Sequence, residues 1–234
     1  MMHGWNTDDR TPLPGTLSNE ARAAFARLGS RRCYAVGDVL ISEGAYVQDL
    51  IVLHRGIVKV TARLDGENES LVDIRIAGDV VGEMAALGPG PRSATVTACG
   101  DVDATVVPGH ELKPFLAANP EVWSALDTVL CSRLHRAVRR RLEFRECSVV
   151  VRLARVLVEL AALYGRKGWK ALIINVNLSQ SEIAALTGCS TETVRKALAH
   201  LRDEGHITTG SRKTEVLDLG SLQEIAGWSV PDTS

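Results

Sequence analysis

Between Tyr34 and Val107 the apolar residues come in short runs, broken repeatedly by glycine. The runs Val39–Ile41, Leu50–Leu53, Ile57–Val60, Leu71–Ile74 and Ala94–Thr97 predict strands. Glycines at 37, 44, 56, 66, 78, 82, 88, 90 and 100 predict the turns between them. Many short strands with such punctuation close into a sandwich or barrel rather than a parallel α/β sheet. Ahead of them, Ser18 is placed to cap a short helix that runs to about Arg27, with Ala21, Ala24, Phe25 and Leu28 on its apolar face. Residues 1–16 are polar and proline-bearing and predict a loose tail.

The period then changes. Pro120 and Glu121 suit the first turn of a helix, and Leu126, Leu130, Leu134, Val138 and Leu142 follow at every fourth position. Val129 and Ala137 fill the intervening third positions, while Arg133, Arg136, Arg139, Arg140 and Glu143 lie opposite. Read as one stripe, the apolar positions predict a helix that pairs with its copy in a second chain. Packing onto the chain's own β domain is the alternative.

Past Ser148 the pattern predicts a helix over Val149–Tyr164, a turn at Gly165–Gly168, a strand over Leu172–Val176 and two short helices starting at Gln180 and Thr191. A hairpin around Thr208–Arg212 follows. Ser179-Gln180-Ser181-Glu182 has the spacing of a capping box. Ile183 and Leu186 give that helix a buried side, small Ala184 allows a close crossing, and Gly188 sits where a sharp turn needs a left-handed residue. Ser190 can cap the next helix. There Val194, Ala197, Leu198 and Leu201 face inward, while Thr191, Glu192, Arg195, Lys196 and Ala199 face out. An exposed polar arc at a helix N-terminus, with a basic hairpin (Arg212, Lys213) behind it, suits base reading in a major groove.

Composition narrows the field. Over 234 residues, 45% hydrophobic and 24% charged is the balance of a folded globular protein of about two domains. A formal net charge of -1 means that any nucleic-acid site is a local patch. No apolar run reaches the ~20 residues of a membrane helix. Met1–Asn6 lack a basic flank and apolar core, so no signal peptide is expected and the cytoplasm is the expected location. The five cysteines are widely spaced and read as reduced, not as zinc or iron–sulfur ligands. A cupin-like metal enzyme would need clustered histidines with a carboxylate, and His54 has no second histidine beside it. No enzyme activity, catalytic residue or metal is therefore expected.

These residues resemble the cyclic-AMP receptor / fumarate–nitrate reduction regulator (CRP/FNR) superfamily. The stretch from Ser181 through Gly188 to Val194 follows its helix-turn-helix pattern. Glu43-Gly44, Gly56–Val60 and Gly78–Glu83 look like its β-roll signatures, and Gly82–Ala85 with Arg92–Val96 resembles its phosphate-binding cassette. The resemblance implies an α+β chain: a β-roll over 17–118, a dimerisation helix over 119–146 and a winged helix-turn-helix over 147–234.

It also implies a homodimeric transcription factor that binds an inverted repeat of double-stranded DNA, works with RNA polymerase and has no membrane partner. DNA would be met by Ser179, Gln180, Ser181, Ser190, Thr191, Glu192, Thr193, Arg195, Lys196, Arg212 and Lys213. The dimer would be held by Leu126, Val129, Leu130, Leu134, Ala137, Val138 and Leu142. An effector would lie on Gly82, Glu83, Met84, Arg92, Ser93 and Ala94, and no cofactor beyond a cyclic nucleotide or related phosphate-bearing molecule is expected.

The cassette makes chemical sense on its own. Arg92 offers a planar fork to phosphate oxygens, Ser93 and Ala94 offer a hydroxyl and an amide, and Glu83 can accept from a ribose hydroxyl. A structural Glu83–Arg92 ion pair is the alternative. The purine-reading positions of cyclic-AMP-responsive members fall on Ala137 and Val138, which have no hydrogen-bonding side chain, with Ser132 as the choice on a shifted register. Thr191 stands where the cyclic-AMP receptor reads a base with arginine, so that operator does not carry over. The oxygen sensor's cysteine cluster is missing, since Cys33 stands alone, and His3, His54, His110 and His135 read as surface residues rather than haem ligands. A DNA-binding dimer with a vestigial cassette is the competing function.

Overall fold

In the computed structural model, residues 13, 17–63, 69–169, 171–174, 176, 178–210 and 213–227 are described. The glycine-broken runs form two four-stranded antiparallel sheets. One has the order β1 (Ser30–Tyr34), β8 (Val102–Val107), β3 (Leu50–Arg55), β6 (Val80–Val81); the other β2 (Val39–Ile41), β7 (Thr95–Ala98), β4 (Ile57–Arg63), β5 (Glu69–Ile76). Ile41, Ile51, Leu53, Val58, Val81, Val96 and Val102 fill one core cluster. A second cluster holds Leu50, Val52, Val80, Val107, the helix α1 (Asn19–Phe25) through Ala21 and Phe25, and α3 (Gly109–Ala118) through Leu112 and Leu116. Ser18 caps α1 by accepting from the Ala21 amide, and its own hydroxyl donates to Glu121 at 2.9 Å.

Two departures from the sequence reading concern this domain. Leu13, expected in the tail, is 1% exposed in the core and its amide donates to the Gly78 carbonyl at 3.2 Å. Strands β1 and β8 were not predicted. The first is almost wholly exposed (Ser-Arg-Arg-Cys-Tyr) and carries no apolar alternation to announce it. Its backbone is recruited by the edge of β8, with Arg31 paired to Asp103 at 2.8 Å. Between β6 and β7 stands the short helix α2 (Glu83–Leu87).

Helix α4 (Pro120–Glu146) is 27 residues long. At ~100° per residue, a row of side chains four apart turns about 40° with each step, so Leu126 and Leu142 lie about 160° apart around the axis. The stripe therefore divides. Leu126 and Val129 are buried in the β-roll core with Val122 and Ala125, which corrects their assignment to a dimer interface. Leu130 is half-buried, whereas Leu134, Val138 and Leu142 are 65%, 52% and 53% exposed and Ala137 is exposed too.

The chain divides into two compact units between His135 and Arg136, inside α4. The C-terminal unit continues with α5 (Val149–Tyr164), capped by Ser148, then β9 (Gly165–Lys167) and β10 (Leu172–Ile174), then α6 (Gln180–Thr187) and α7 (Thr191–Asp203). β11 (Ile207–Gly210) and β12 (Lys213–Val216) form the hairpin, and α8 (Leu219–Ile225) closes the unit. The sheet order is β11-β12-β10-β9, so the expected turn at Gly165–Gly168 begins as a strand. α5 buries Leu153, Ala154, Leu157, Val158 and Ala161 against α6, α7, α8 and β10.

The divided helix yields a test. Leu126→Ala should cost ~2–5 kcal/mol in urea denaturation, as buried Leu→Ala changes do, and leave self-association unchanged. Weakened self-association at full stability would put Leu126 on an interface instead.

Candidate functional site

The cassette is built around Gly82, which caps α2 with φ +83°. A side chain there would be strained, and its Cβ would run into the Arg92 guanidinium and come within 3.0 Å of the Asp49 carbonyl and of Ile41. Arg92 is 5% exposed. Its Nη1 donates to the Gly82 carbonyl at 2.7 Å and its Nη2 to the Asp49 carbonyl at 2.6 Å. Burial pulls its pKa below the usual arginine value, opposed by the nearby carboxylates of Asp49 and Glu83. The segment is fixed by a backbone exchange in which the Gly44 amide donates to the Arg92 carbonyl and the Arg92 amide to the Ala45 carbonyl. Ser93 and Met84 are exposed beside it, the Ser93 hydroxyl 3.5 Å from the Met84 sulfur, and Ala94 is half-buried.

Glu83 is buried, but its partner is not Arg92. Arg133 of α4 meets its Oε1 at 2.6 Å and donates from Nη2 to the Val80 carbonyl at 2.7 Å. This sets aside the alternative of a structural Glu83–Arg92 pair and corrects the placing of Arg133 on a polar face opposite the apolar stripe. The signal was in the sequence. Arg133 lies four residues beyond Val129 and extends the buried row of Val122, Leu126 and Val129, so a charge there needs a buried counter-charge. Burial is the largest influence on Arg133 and lowers its pKa, while Glu83 opposes that shift. Trp123 was also passed over; it is 50% exposed and stands one heptad before Leu130, on the side of α4 that shows Leu134.

The site thus brings together a buried arginine with both terminal nitrogens on backbone carbonyls, an exposed serine hydroxyl and a left-handed glycine whose Cβ would meet that arginine. Among the described residues no cluster of His, Cys, Asp and Glu could hold a metal. His54 is half-buried against Thr105 at 2.8 Å, and burial lowers its pKa.

The second constellation is on α6 and α7. The capping box is formed: Glu182 N donates to Ser179 Oγ at 3.2 Å and Ser179 N to the Glu182 carboxylate at 2.6 Å. Ser181 Oγ lies 2.9 Å from Ser179 Oγ, and Gln180 is exposed. Gly188 ends α6 in the left-handed region at φ +61°, and Ser190 caps α7 by accepting from Thr193 N at 3.2 Å. Val194, Ala197, Leu198 and Leu201 are buried; Thr191, Glu192, Thr193, Arg195 and Lys196 are exposed.

On that exposed arc Glu192 is already engaged. Arg195 donates to both carboxylate oxygens, at 2.9 and 2.7 Å, and the Lys196 ammonium lies 3.6 Å away. The Arg195 hydrogen bonds hold the Glu192 carboxyl below the usual carboxylate range. Lys213 on the hairpin meets Glu215 at 2.8 Å, and Arg212 lies outside the described residues.

The buried pair makes a prediction. Arg133→Met should destabilise the chain by ~3–5 kcal/mol, because it leaves Glu83 charged and buried, and adding Glu83→Gln should recover most of that loss. Additive losses in the double variant would show that the two side chains do not act as a pair.

Two family models match the chain: a cyclic nucleotide-binding domain over residues 31–119 and a Crp-like helix-turn-helix domain over 151–225. A CRP-like cAMP-activated global transcriptional regulator of Mycobacterium tuberculosis is 32% identical over 186 residues, spanning 80% of this chain and 83% of that protein. The cyclic AMP receptor protein of Thermus thermophilus is 30% identical over 196 residues, 84% of this chain and 88% of its own length. The crystal structure of a CRP/FNR-family transcriptional regulator from Thermus thermophilus superimposes with a TM-score of 0.72 at 25% identity, covering 85% of this chain and 98% of the other.

Proposed function

Because the chain belongs to the CRP/FNR family of transcriptional regulators, we propose that it acts as a homodimer on an inverted DNA repeat, under the control of a phosphate-bearing small molecule at the β-roll. The observation that carries the DNA half is the turn at Gly188, which leads from a capped α6 into a capped α7 whose first turns expose Thr191, Glu192, Arg195 and Lys196. Two such helices related by a dimer axis would enter major-groove faces ~34 Å apart. The exposed side of α4, with Leu134, Val138 and Leu142, supports the pairing. Regulation would then be read out through RNA polymerase.

Base reading is divided among few side chains. Glu192 offers only acceptors, so its partner is a cytosine amino group, and Lys196 can donate to guanine. Replacing Glu192 by Ala also frees Arg195 and Lys196 for phosphates. Binding selection with Glu192→Ala should therefore relax one G·C position per half-site with no loss of total affinity. Unchanged selected sequences would leave Glu192 only its favourable place near the helix dipole. Lys213 should act on phosphate, and its removal should lower the slope of log affinity against log salt by ~0.9.

The effector half rests on the buried Arg92 fork and on Gly82. The sequence register that puts Ala137 and Val138 at the purine-reading positions supports a site that holds sugar and phosphate but discriminates weakly between adenine and guanine. A thermal-shift screen with cyclic nucleotides tests this, since a ligand at 100 times its Kd adds ~2.7 kcal/mol of stability. Arg92→Ala should abolish the shift. No shift with any nucleotide would favour the second reading, a regulator without effector, to which the inward hydrogen bonds of Arg92 to Gly82 and Asp49 also lend support.

A further inference from the structure

The turn of the helix-turn-helix does not stand free; it sits on an aromatic ring. Phe144 belongs to the last turn of α4, and its ring lies so close to Gly188 that a Cβ on Gly188 would be 2.8 Å from it. Arg152 of α5 closes the arrangement. Its guanidinium lies 5.4 Å from the centroid of the Phe144 ring, and its Nη1 donates to the Gly188 carbonyl at 3.4 Å. Arg152 is 9% exposed, and its Nε has no hydrogen-bond partner among the described residues. Nearby arginines are matched by carboxylates, Arg155 by Glu143 at 2.9 Å and Arg140 by Glu159 at 3.8 Å. Glu143 and Glu159 line the same small cavity as Arg152, but among the described residues its direct contacts are a ring face and a carbonyl dipole.

We infer that Phe144 and Arg152 are positioning residues for the recognition helix: the ring and the guanidinium seat Gly188, and so set where α7 begins. A buried cation is costly without a partner, so Arg152 holds the ring and the Gly188 carbonyl at fixed places. The turn is stiff on the other side too, because the Gly188 amide donates to Ala184 and Ala185 carbonyls, and Cys189 N donates to the Ala184 carbonyl at 3.1 Å. Ser190, two residues on, is the cap of α7. A shift of the ring therefore moves the N-terminal turn of α7, where Thr191, Glu192 and Arg195 are presented. Leu186 of α6 lines the same small cavity as Phe144 and Arg152, so stability is read beside registration on DNA. This inference rests on α7 being the DNA-reading helix.

Affinity is measured for two duplexes of equal length, the inverted repeat selected by the wild-type protein and a scrambled one, alongside melting temperature and hydrogen exchange of the 188–194 segment in free protein. Phe144→Leu keeps apolar bulk but removes the ring face. It should lower the ratio of selected to scrambled affinity by about tenfold, roughly one base contact per site, with scrambled affinity within about twofold. Phe144→Tyr should restore the ratio, and exchange in 188–194 should quicken in the leucine variant alone. An unchanged ratio with unchanged exchange overturns the inference. If Phe144→Leu also lowers the melting temperature, Arg152→Lys carries the test, because it keeps the charge but not the planar fork; an unchanged ratio and exchange there overturn the inference equally. Failure of the wild-type protein to select any sequence would instead overturn the DNA reading, and the exchange result would still decide whether the ring seats the turn.

Discussion

An α-helix repeats every ~3.6 residues, and a leucine at every fourth position cannot stay on one side of it. Much of this protein follows from that mismatch in α4. Its first turns put Val122, Ala125, Leu126 and Val129 into the β-roll core. Further along, the same row has rotated away, and Leu134, Val138 and Leu142 face solvent. Trp123 and the half-buried Leu130 lie on the side of α4 that shows Leu134, so apolar side chains form a seam along the part of α4 that belongs to the N-terminal unit. Water penalises such a seam, and a second copy of the same helix covers it most simply. In the proposed dimer that pairing would give two α7 helices, as a palindromic operator requires.

Besides Arg75, which pairs with Asp73, three arginines with little exposure are each satisfied differently. Arg92 is met by the Gly82 and Asp49 carbonyls, Arg133 by the Glu83 carboxylate and the Val80 carbonyl, and Arg152 by the Phe144 ring and the Gly188 carbonyl. A buried charge adds little net stability, since desolvation offsets most of the attraction. What it supplies is position, because the charge tolerates few alternative arrangements. That explains why these arginines sit at the cassette, beneath α2 and beneath the turn into α7, and not in the middle of the apolar cores.

The legible parts of the sequence were those whose cause is local. The Ser179–Glu182 capping box, the left-handed Gly188 and the Ser190 cap are each decided within a few residues, and so are the apolar runs that became β3 and β4. Long-range causes were harder to read. Strand β1 exists because β8 offers it an edge, Leu13 is buried because Gly78 receives its amide, and Glu83 pairs with Arg133 fifty residues away in sequence. Arg133 could have been found by treating it as the next member of a buried row. The partners of Glu192 could not, because an exposed carboxylate with Arg and Lys three and four residues on can pair with either or with neither.

The central claim is that the outward side of α4 joins two chains. Sedimentation velocity of the full chain at micromolar concentration tests it most directly. The account predicts a species of twice the 25.2 kDa chain mass, reduced to a folded single chain by Leu130→Glu with Leu134→Glu. A wild-type protein that sediments as a single 25.2 kDa chain across that range would contradict it.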